Sequence, residues 1–334
     1  MTRLRVGIIG LGVGRQHMEG YRRHPACEIR ALCDFSQAKL DEARRECPDA
    51  RLTARAADIL EDPGIDAVSV ASFDDNHHEQ VAAALRHGKH VFVEKPLCLR
   101  EEEMRELRGL LRERPHLRLS SNLILRMCPR FQRLRRMIAD GALGRVYYLE
   151  GDYNYGRLHK ITEGWRGMVD SYSVMLGGGV HLIDLLLWLT GDEVVEVAAA
   201  GNQIASAGTA FRYNDFAVGI LRLRSGSIAK VSANFGCVFP HFHSLIVYGT
   251  RATFVNGRES GLLYESREPS VRPREIADAY PGAHKGDLIH SFIESIVSGT
   301  PAIVTADDVF RTMSVCFAVD QAMREKQYIP VQYD

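Results

Sequence analysis

Cysteine pairs are missing from this chain, and lysine is scarce. The seven cysteines (Cys27, Cys33, Cys47, Cys98, Cys128, Cys237 and Cys316) are odd in number, scattered and never spaced as C-x-x-C. That pattern argues against a disulfide framework and against a zinc or other metal site, and it points to a reducing compartment. An excess of either charge is also missing, because 42 Lys+Arg face 42 Asp+Glu. Neither nucleic acid nor an anionic membrane is therefore expected as a partner. Only residues 39, 89, 95, 160, 230, 285 and 326 are lysines, a skew toward arginine that we attribute to codon usage. The longest apolar stretch, Leu182 to Leu189, is broken by Asp184 and is too short to cross a bilayer. Arg3-Leu4-Arg5 leads into a short strand without a secretory h-region. There are no internal repeats and no low-complexity tract, so a cytoplasmic globular protein is expected.

What is there suits two domains. At 334 residues, 46% apolar and 25% charged, the chain is long enough to bury two cores. Leu4 to Gly10 reads as a buried strand running into Gly10-Leu11-Gly12-Val13-Gly14 and then a helix to about Arg23. Glycines at a strand-to-helix turn let backbone N–H groups approach a pyrophosphate, which makes Gly10, Gly12, Val13 and Gly14 candidate cofactor contacts. The third glycine comes one position early, and Arg15 stands where a small residue is usual; Arg15 is itself a candidate to face a phosphate. A second strand, Glu28 to Cys33, ends at Asp34, near the spacing at which a carboxylate accepts the adenosine ribose hydroxyls. Capping the helix from Gln37 to Arg45 is the other use open to Asp34. Phe35, Ser36 and Gln37 offer no base for a 2'-phosphate, so NAD is preferred over NADP.

Strand and helix continue to alternate: a strand from Asp66 to Ala71, a loop from Ser72 to His77, a helix from His78 to His87, and the apolar strand Val91-Phe92-Val93. This order implies right-handed βαβ units and a doubly wound parallel sheet. The last of these strands ends in Glu94-Lys95-Pro96, which places an ammonium at the C-terminal sheet edge where such folds bind ligands. In isolation a Glu-Lys-Pro is most simply a surface ion pair. A helix from Arg100 to Arg114 and a strand from Leu117 to Ser121 close the unit, giving a cofactor domain over 1–121 and a second domain over 122–334.

Gly10-Leu11-Gly12, Asp34, the loop to His77 and Glu94-Lys95-Pro96-Leu97 together resemble the glucose-fructose oxidoreductase/inositol dehydrogenase family, Gfo/Idh/MocA. The likeness continues through Asn122, Arg126, Pro129 and Phe131 to Gly177-Gly178-Gly179-Val180-His181-Leu182-Ile183-Asp184. It implies an N-terminal Rossmann domain, a C-terminal α/β domain with a large, mostly antiparallel open sheet, and NAD(P) as cofactor. It further implies that Lys95 contacts the nicotinamide ribose and the substrate oxygen, that His181 is the general acid or base, and that Ser72, His77 and Glu94 border the cofactor. Asn122, Arg126 and Asp184 become substrate candidates. Many family dehydrogenases carry an aspartate four residues before the histidine, where this chain has Gly177. Asp170 substitutes only if the segment from Arg166 to Leu176 folds back; otherwise Lys95 and His181 suffice, or the oxidoreductase chemistry has been lost.

In the second domain Val146 to Tyr155, Val194 to Ile204, Phe216 to Arg224, Ser227 to Phe235 and Ser244 to Tyr248 read as strands, with Ser225-Gly226 as a hairpin turn. Gly179 to Leu189 reads as a helix, and further helices lie near Leu288 to Ser298 and Ala306 to Arg324. Tyr153, Tyr155, Arg157, Trp165 and Arg166 supply flat apolar faces and planar donors, which suit a polyhydroxylated ring; an ordinary loop with exposed aromatics is the alternative. Arg130, Arg133, Arg135 and Arg136 read as a solvated helix face, with a nucleotide-diphosphate clamp as the alternative. The function these features point to is hydride transfer between NAD and a secondary alcohol or ketone of a sugar, cyclitol or derivative, nucleotide-linked or not. A non-catalytic NAD-binding regulator and a hydrolase or eliminase working through transient oxidation are the rivals. The family resemblance also implies a homodimer or homotetramer, for which an exposed face of the second domain's sheet would be the natural contact.

Overall fold

The structure is a computed structural model that describes residues 3–169 and 171–333. The chain divides into two compact units. One comprises the residues up to Ile124 together with His284–Phe310, and the other comprises Leu125–Ala283 with the residues from Arg311 on.

The first unit is built from β1 (Leu4–Ile9), α1 (Gly14–Arg22), β2 (Cys27–Cys33), α2 (Gln37–Glu46), β3 (Arg51–Thr53), α3 (Ala57–Leu60), β4 (Ala67–Val70), α4 (His77–Arg86), β5 (His90–Val93), α5 (Glu101–Glu113) and β6 (Leu119–Ser121). All six strands are parallel, in the order β3-β2-β1-β4-β5-β6. The order reverses between β1 and β4, and the crevice outside that switch point is where doubly wound sheets take a ligand. β4 is buried along its whole length and β5 in all but His90, as expected of strands covered by helices on both faces.

The second unit begins with α6 (Pro129–Ala139), β7 (Val146–Asn154) and α7 (His159–Thr162). A π-helical turn (Met175–Gly179) runs into α8 (Val180–Thr190). Then follow β8 (Val194–Asn202), β9 (Phe216–Leu223), β10 (Ile228–Asn234), β11 (Phe242–Gly249), β12 (Thr253–Asn256), β13 (Gly261–Tyr264) and β14 (Arg274–Ile276). After them the chain passes through α9 (Asp287–Val297), which belongs to the first unit, and continues into α10 (Ala306–Glu325) and β15 (Ile329–Pro330). The nine strands form one sheet, β14-β13-β12-β11-β7-β10-β9-β8-β15, in which only β7 and β10 run parallel. α8 lies on one face of this sheet, and Gly151 of β7 makes room for it: a Cβ there would meet the Leu182 side chain at 3.3 Å.

Three features depart from the expectations drawn from sequence. Residues 284–310 join the first unit, although the second was expected to run unbroken to the C-terminus. α9 buries Leu288, Ile289, Phe292 and Ile293; Phe292 meets Phe92 of β5 at 5.6 Å, and His24 Nε2 bonds Glu294 at 2.9 Å. α1 admits this segment through Gly20, where a Cβ would lie 2.6 Å from the Gly286 carbonyl oxygen. The sheet also continues past Tyr248 through β12, β13 and β14, strands of three or four residues that are too short to show a period of two. Finally, Arg130 is not on a solvated face. It is 1% exposed, and its guanidinium donates to the carbonyls of Asp278, Gly257 and Glu259 and to Asn256 Oδ1, which fixes the β12–β13 turn.

Candidate active site

In the first unit the glycine turn has the geometry of a dinucleotide cradle. Gly10 has φ +88°, and a Cβ on it would fall 2.3 Å from the Ala71 carbonyl oxygen, so the ends of β1 and β4 approach only because this residue has no side chain. Gly12 is open, with only Lys39 Nζ within reach of a Cβ, at 3.8 Å. Asp34 is buried; its Oδ2 accepts the Leu11 N–H at 2.7 Å and its Oδ1 accepts the Ser36 N–H at 2.9 Å. The carboxylate therefore ties the glycine turn to the end of β2 and is not the cap of α2. An open backbone turn facing an ordered carboxylate fits a pyrophosphate and a ribose. Arg15 is committed elsewhere, to Glu42 and Glu46 on α2. Lys39, passed over on sequence, places Nζ 3.4 Å from Asp34 Oδ2 and 5.5 Å from the Phe35 ring centroid.

Lys95 is partly exposed at the end of β5, joined to Pro96 by a cis peptide bond. His77, fully buried, places Nδ1 2.7 Å from the Pro96 carbonyl and Nε2 3.3 Å from that of Ser72, so it ties the Lys95 turn to the loop after β4. Ser72 Oγ donates to Gln80 Oε1 at 2.8 Å. Glu94 points the other way, into a buried network: its Oε1 meets Asn122 Nδ2 at 2.8 Å, His17 Nε2 at 3.2 Å and Lys285 Nζ at 3.4 Å. Burial alone would raise this carboxyl, but Lys285, the bonded His17 and Lys95 hold it well below the usual range. Asn122 is 2% exposed, and its amide donates to Glu94 and to the Lys285 carbonyl, so this structure places it in the same network.

In the second unit His181, on the first turn of α8, stacks on Tyr153 with ring centroids 6.1 Å apart and meets His243 edge-on, also at 6.1 Å. Tyr153 is surrounded in turn by Tyr155, Phe235 and His241. Burial raises the Tyr153 phenol, and Arg166 and Arg157 oppose that rise, so both guanidinium groups bear on this cluster. Arg157 lies over Tyr155 and Arg166 over Trp165, at 5.3 and 4.5 Å. Burial and His241 hold His243 down at about 3, so its ring is neutral; its Nδ1 lies 2.7 Å from the Tyr280 hydroxyl. Arg126 and Asp184, expected as substrate contacts, also lie in the second unit. They pair with each other, Nη2 to Oδ1 at 2.6 Å, with both side chains buried, and a guanidinium and carboxylate matched in this way have little capacity left for a substrate.

The three glycines before α8 are openings filled by their neighbours. A Cβ on Gly177 would lie 2.3 Å from the Tyr172 hydroxyl oxygen, and one on Gly178 would lie 2.4 Å from the Tyr153 ring. Asp170, the sequence candidate for the role at 177, lies outside the described residues. A cavity of 360 Å³ borders Tyr172, lined also by Ser173, Arg212, Tyr213, Asp320 and Arg324.

Sequence reasoning did not reach Lys39, Tyr172, His241, His243 or Lys285. The alternation of His241 and His243 was a usable signal, since residues two apart on a strand share a face and β11 pairs His243 with Tyr153. Nothing local marks Lys285.

Residues 4–122 match the model described as oxidoreductase family, NAD-binding Rossmann fold, and residues 131–255 match the GFO/IDH/MocA C-terminal domain. The chain belongs to the Gfo/Idh/MocA oxidoreductases, NAD-dependent enzymes acting on CH–OH groups. It is 24% identical to myo-inositol 2-dehydrogenase of Thermotoga maritima over 98% of this chain and 99% of that one. It is 28% identical to 1,5-anhydro-D-fructose reductase of Ensifer adhaerens over 92% of each. Among solved structures, levoglucosan dehydrogenase in complex with NADH superposes with a TM-score of 0.87 at 20% identity, covering 99% of this chain and all of that one. At that identity the likeness speaks for the fold. No helix among the described residues is long and apolar enough to cross a membrane.

Proposed function

We propose that this chain transfers a hydride reversibly between NAD and a secondary alcohol or ketone carbon of a cyclitol, a sugar or a sugar derivative. The observation that carries the reading is the imidazole of His181 held against Tyr153 within an aromatic cluster flanked by Arg157 and Arg166, in a chain whose other unit has an open glycine turn and an ordered ribose-type carboxylate. Curated relatives named as inositol dehydrogenases and a sugar reductase support the substrate class.

The N–H groups of Gly12 and Val13, on the glycine turn that the Gly10, Leu11 and Gly14 N–H groups hold in place, would bind the pyrophosphate, and Asp34 would take the ribose hydroxyls. When bound, NAD supplies the hydride acceptor. His181 takes the substrate hydroxyl proton during oxidation and returns it during reduction. The family resemblance assigns Lys95 a hydrogen bond to a substrate oxygen, where an ammonium would stabilise growing negative charge. His77 orients the Lys95 turn through the Pro96 carbonyl. Tyr153, Tyr155 and Trp165 offer ring faces to the C–H face of a polyol, and Arg157 and Arg166 donate to its hydroxyl or carboxylate oxygens.

We place the enzyme in the cytoplasm, on the strength of its unpaired cysteines. We further propose self-association through the open sheet face, where Tyr148, Ile220, Ile228, Ile246 and Tyr248 share one side of adjacent strands and all retain exposure. The test is NADH formation at 340 nm with a panel of inositols, aldoses and anhydrosugars. Lys95→Ala and His181→Gln each lower turnover by about 100-fold or more while NAD affinity stays within about threefold. NAD binding without turnover across the whole panel makes the chain a cofactor-binding regulator instead, and wild-type turnover in Lys95→Ala removes that residue from the chemistry.

A further inference from the structure

We propose that His243 is a specificity-determining residue of the substrate site, its Nε2–H donating a hydrogen bond to a substrate oxygen beside His181. The proposal rests on the hydride-transfer reading and adds how that site selects its polyol. Along β11 the residues on the sheet face that packs against α8 are Val247, Leu245 and His243, paired with Leu149, Gly151 and Tyr153 of β7. Val247 and Leu245 are fully buried, so this row is apolar under α8 and turns polar only where it reaches the aromatic cluster. There the His243 ring centroid lies 5.3 Å from that of Tyr153 and 6.1 Å from that of His181, edge-on to both. His181, His243 and Tyr153 are 9%, 7% and 6% exposed, and the cluster is thus where this covered face meets solvent.

The backbone of His243 and one of its ring nitrogens are already committed. The Tyr280 hydroxyl accepts the His243 backbone N–H at 2.8 Å and lies 2.7 Å from Nδ1, while the His243 carbonyl accepts from Asn256 Nδ2 at 2.9 Å. A phenol has one proton to give. With its oxygen taking the backbone N–H, that proton goes to Nδ1, and the neutral ring carries its own proton on Nε2. Nε2 bonds no described residue and is not one of the sealed polar atoms of the interior, so it opens to solvent. Burial and His241 keep the ring uncharged near neutral pH. It therefore offers the site one donor, no acceptor and no charge. Such a group accommodates a hydroxyl, ether or carbonyl oxygen alike, and it rejects a deoxy carbon, against which a desolvated N–H would be stranded.

The test is NMR of the nitrogen-labelled histidine rings in the full chain, with His243 assigned by its loss in His243→Leu or, should that variant not fold, in His243→Gln. Nε2 should carry the proton and Nδ1 should not, with no midpoint between about pH 5 and 8. Tyr280→Phe should spread the proton over both nitrogens. Inositols, aldoses and anhydrosugars added to the NADH-loaded chain, which cannot oxidise them, should include at least one that shifts the Nε2 signal. For a polyol that is turned over, wild type should reject one monodeoxy analogue by about tenfold in kcat/KM, the size of one hydrogen bond, and His243→Leu should erase that preference. A proton on Nδ1, a midpoint inside that pH range, or an Nε2 signal that no polyol moves overturns the proposal. A polyol can bind the NADH-loaded chain without being oxidised, so an Nε2 shift with no turnover would sink the hydride-transfer reading and leave the donor assigned.

Discussion

The Arg126 guanidinium closes on the Asp184 carboxylate with Nη2 2.6 Å from Oδ1 and Nε within 3.1 Å of both oxygens, and the two side chains are 3% and 1% exposed. Thr312 Oγ1 adds a longer contact to Oδ1 at 3.4 Å. In such a pair the loss of one partner strands a buried charge, whereas replacing both with apolar groups strands none. Arg126→Met and Asp184→Leu should each cost about 3–5 kcal/mol of stability, and the double variant should recover most of that loss. Urea denaturation of the four proteins measures it. Additive losses in the double variant would mean that the pair is not a closed unit, and would restore these residues as candidate substrate contacts.

Glu94 makes the network under Lys95 sensitive to acid. Its folded-state carboxyl titrates well below 4.5 because Lys285, His17 and Lys95 outweigh burial. A depressed carboxyl contributes stability that is fully present above its unfolded value and is lost as pH falls through the folded one. Unfolding free energy should therefore decline as pH falls below about 4.5. Glu94→Gln should lower stability at pH 7 by about 2–4 kcal/mol, with a shallower acid limb. Parallel acid limbs in the two proteins would show that Glu94 does not carry this dependence.

What the sequence made legible is what depends on near neighbours. Gly10, the strands on either side of it and Asp34 can be read because a strand–glycine–helix turn is a local device. β9 and β10 can be read because Ser225-Gly226 sits between two alternating runs, and the two strands do pair antiparallel. The return of α9 to the first unit depends on Gly20 meeting Gly286 across more than 260 residues of chain, and an amphipathic helix does not announce which core it joins. Arg126 and Asp184 were each read as a substrate contact, and only packing reveals that they pair with each other. His243 comes opposite Tyr153 through the register of β11 on β7, and Tyr172 reaches Gly177 through a turn whose π character has no residue signature.

Under the proposed function, cofactor choice turns on Asp34 and on Lys39, which the sequence reading missed. The carboxylate repels a 2'-phosphate, yet Lys39 stands 3.4 Å from it on the first turn of α2. Asp34→Ser removes the charge and releases the ammonium to meet a phosphate. The variant should lose about 10- to 100-fold in kcat/KM with NAD and gain with NADP. Asp34→Ser combined with Lys39→Ala should lose with NAD and show no gain with NADP. An unchanged NAD to NADP ratio in Asp34→Ser would place cofactor discrimination elsewhere.

The opposite linkage operates at Asp320, on α10 beside the 360 Å³ cavity. Burial pushes its carboxyl from 3.8 up to about 6, against the opposing pull of Ser173 and Arg324. Its Oδ1 accepts from Ser173 Oγ at 2.9 Å, and that oxygen also accepts the N–H groups of Met175 and Leu176, so the carboxyl anchors the start of the π-helical turn. A raised carboxyl contributes stability that is fully present below its unfolded value and is lost as pH rises through the folded one. Wild type should thus weaken between about pH 4 and 6.5 on account of this group. Asp320→Asn, which keeps an acceptor for Ser173, should be more stable at pH 8 by on the order of 1–3 kcal/mol, with the difference vanishing below about pH 4. Denaturant midpoints across that range decide it: a constant offset between the two proteins would mean that the carboxyl does not titrate in this window.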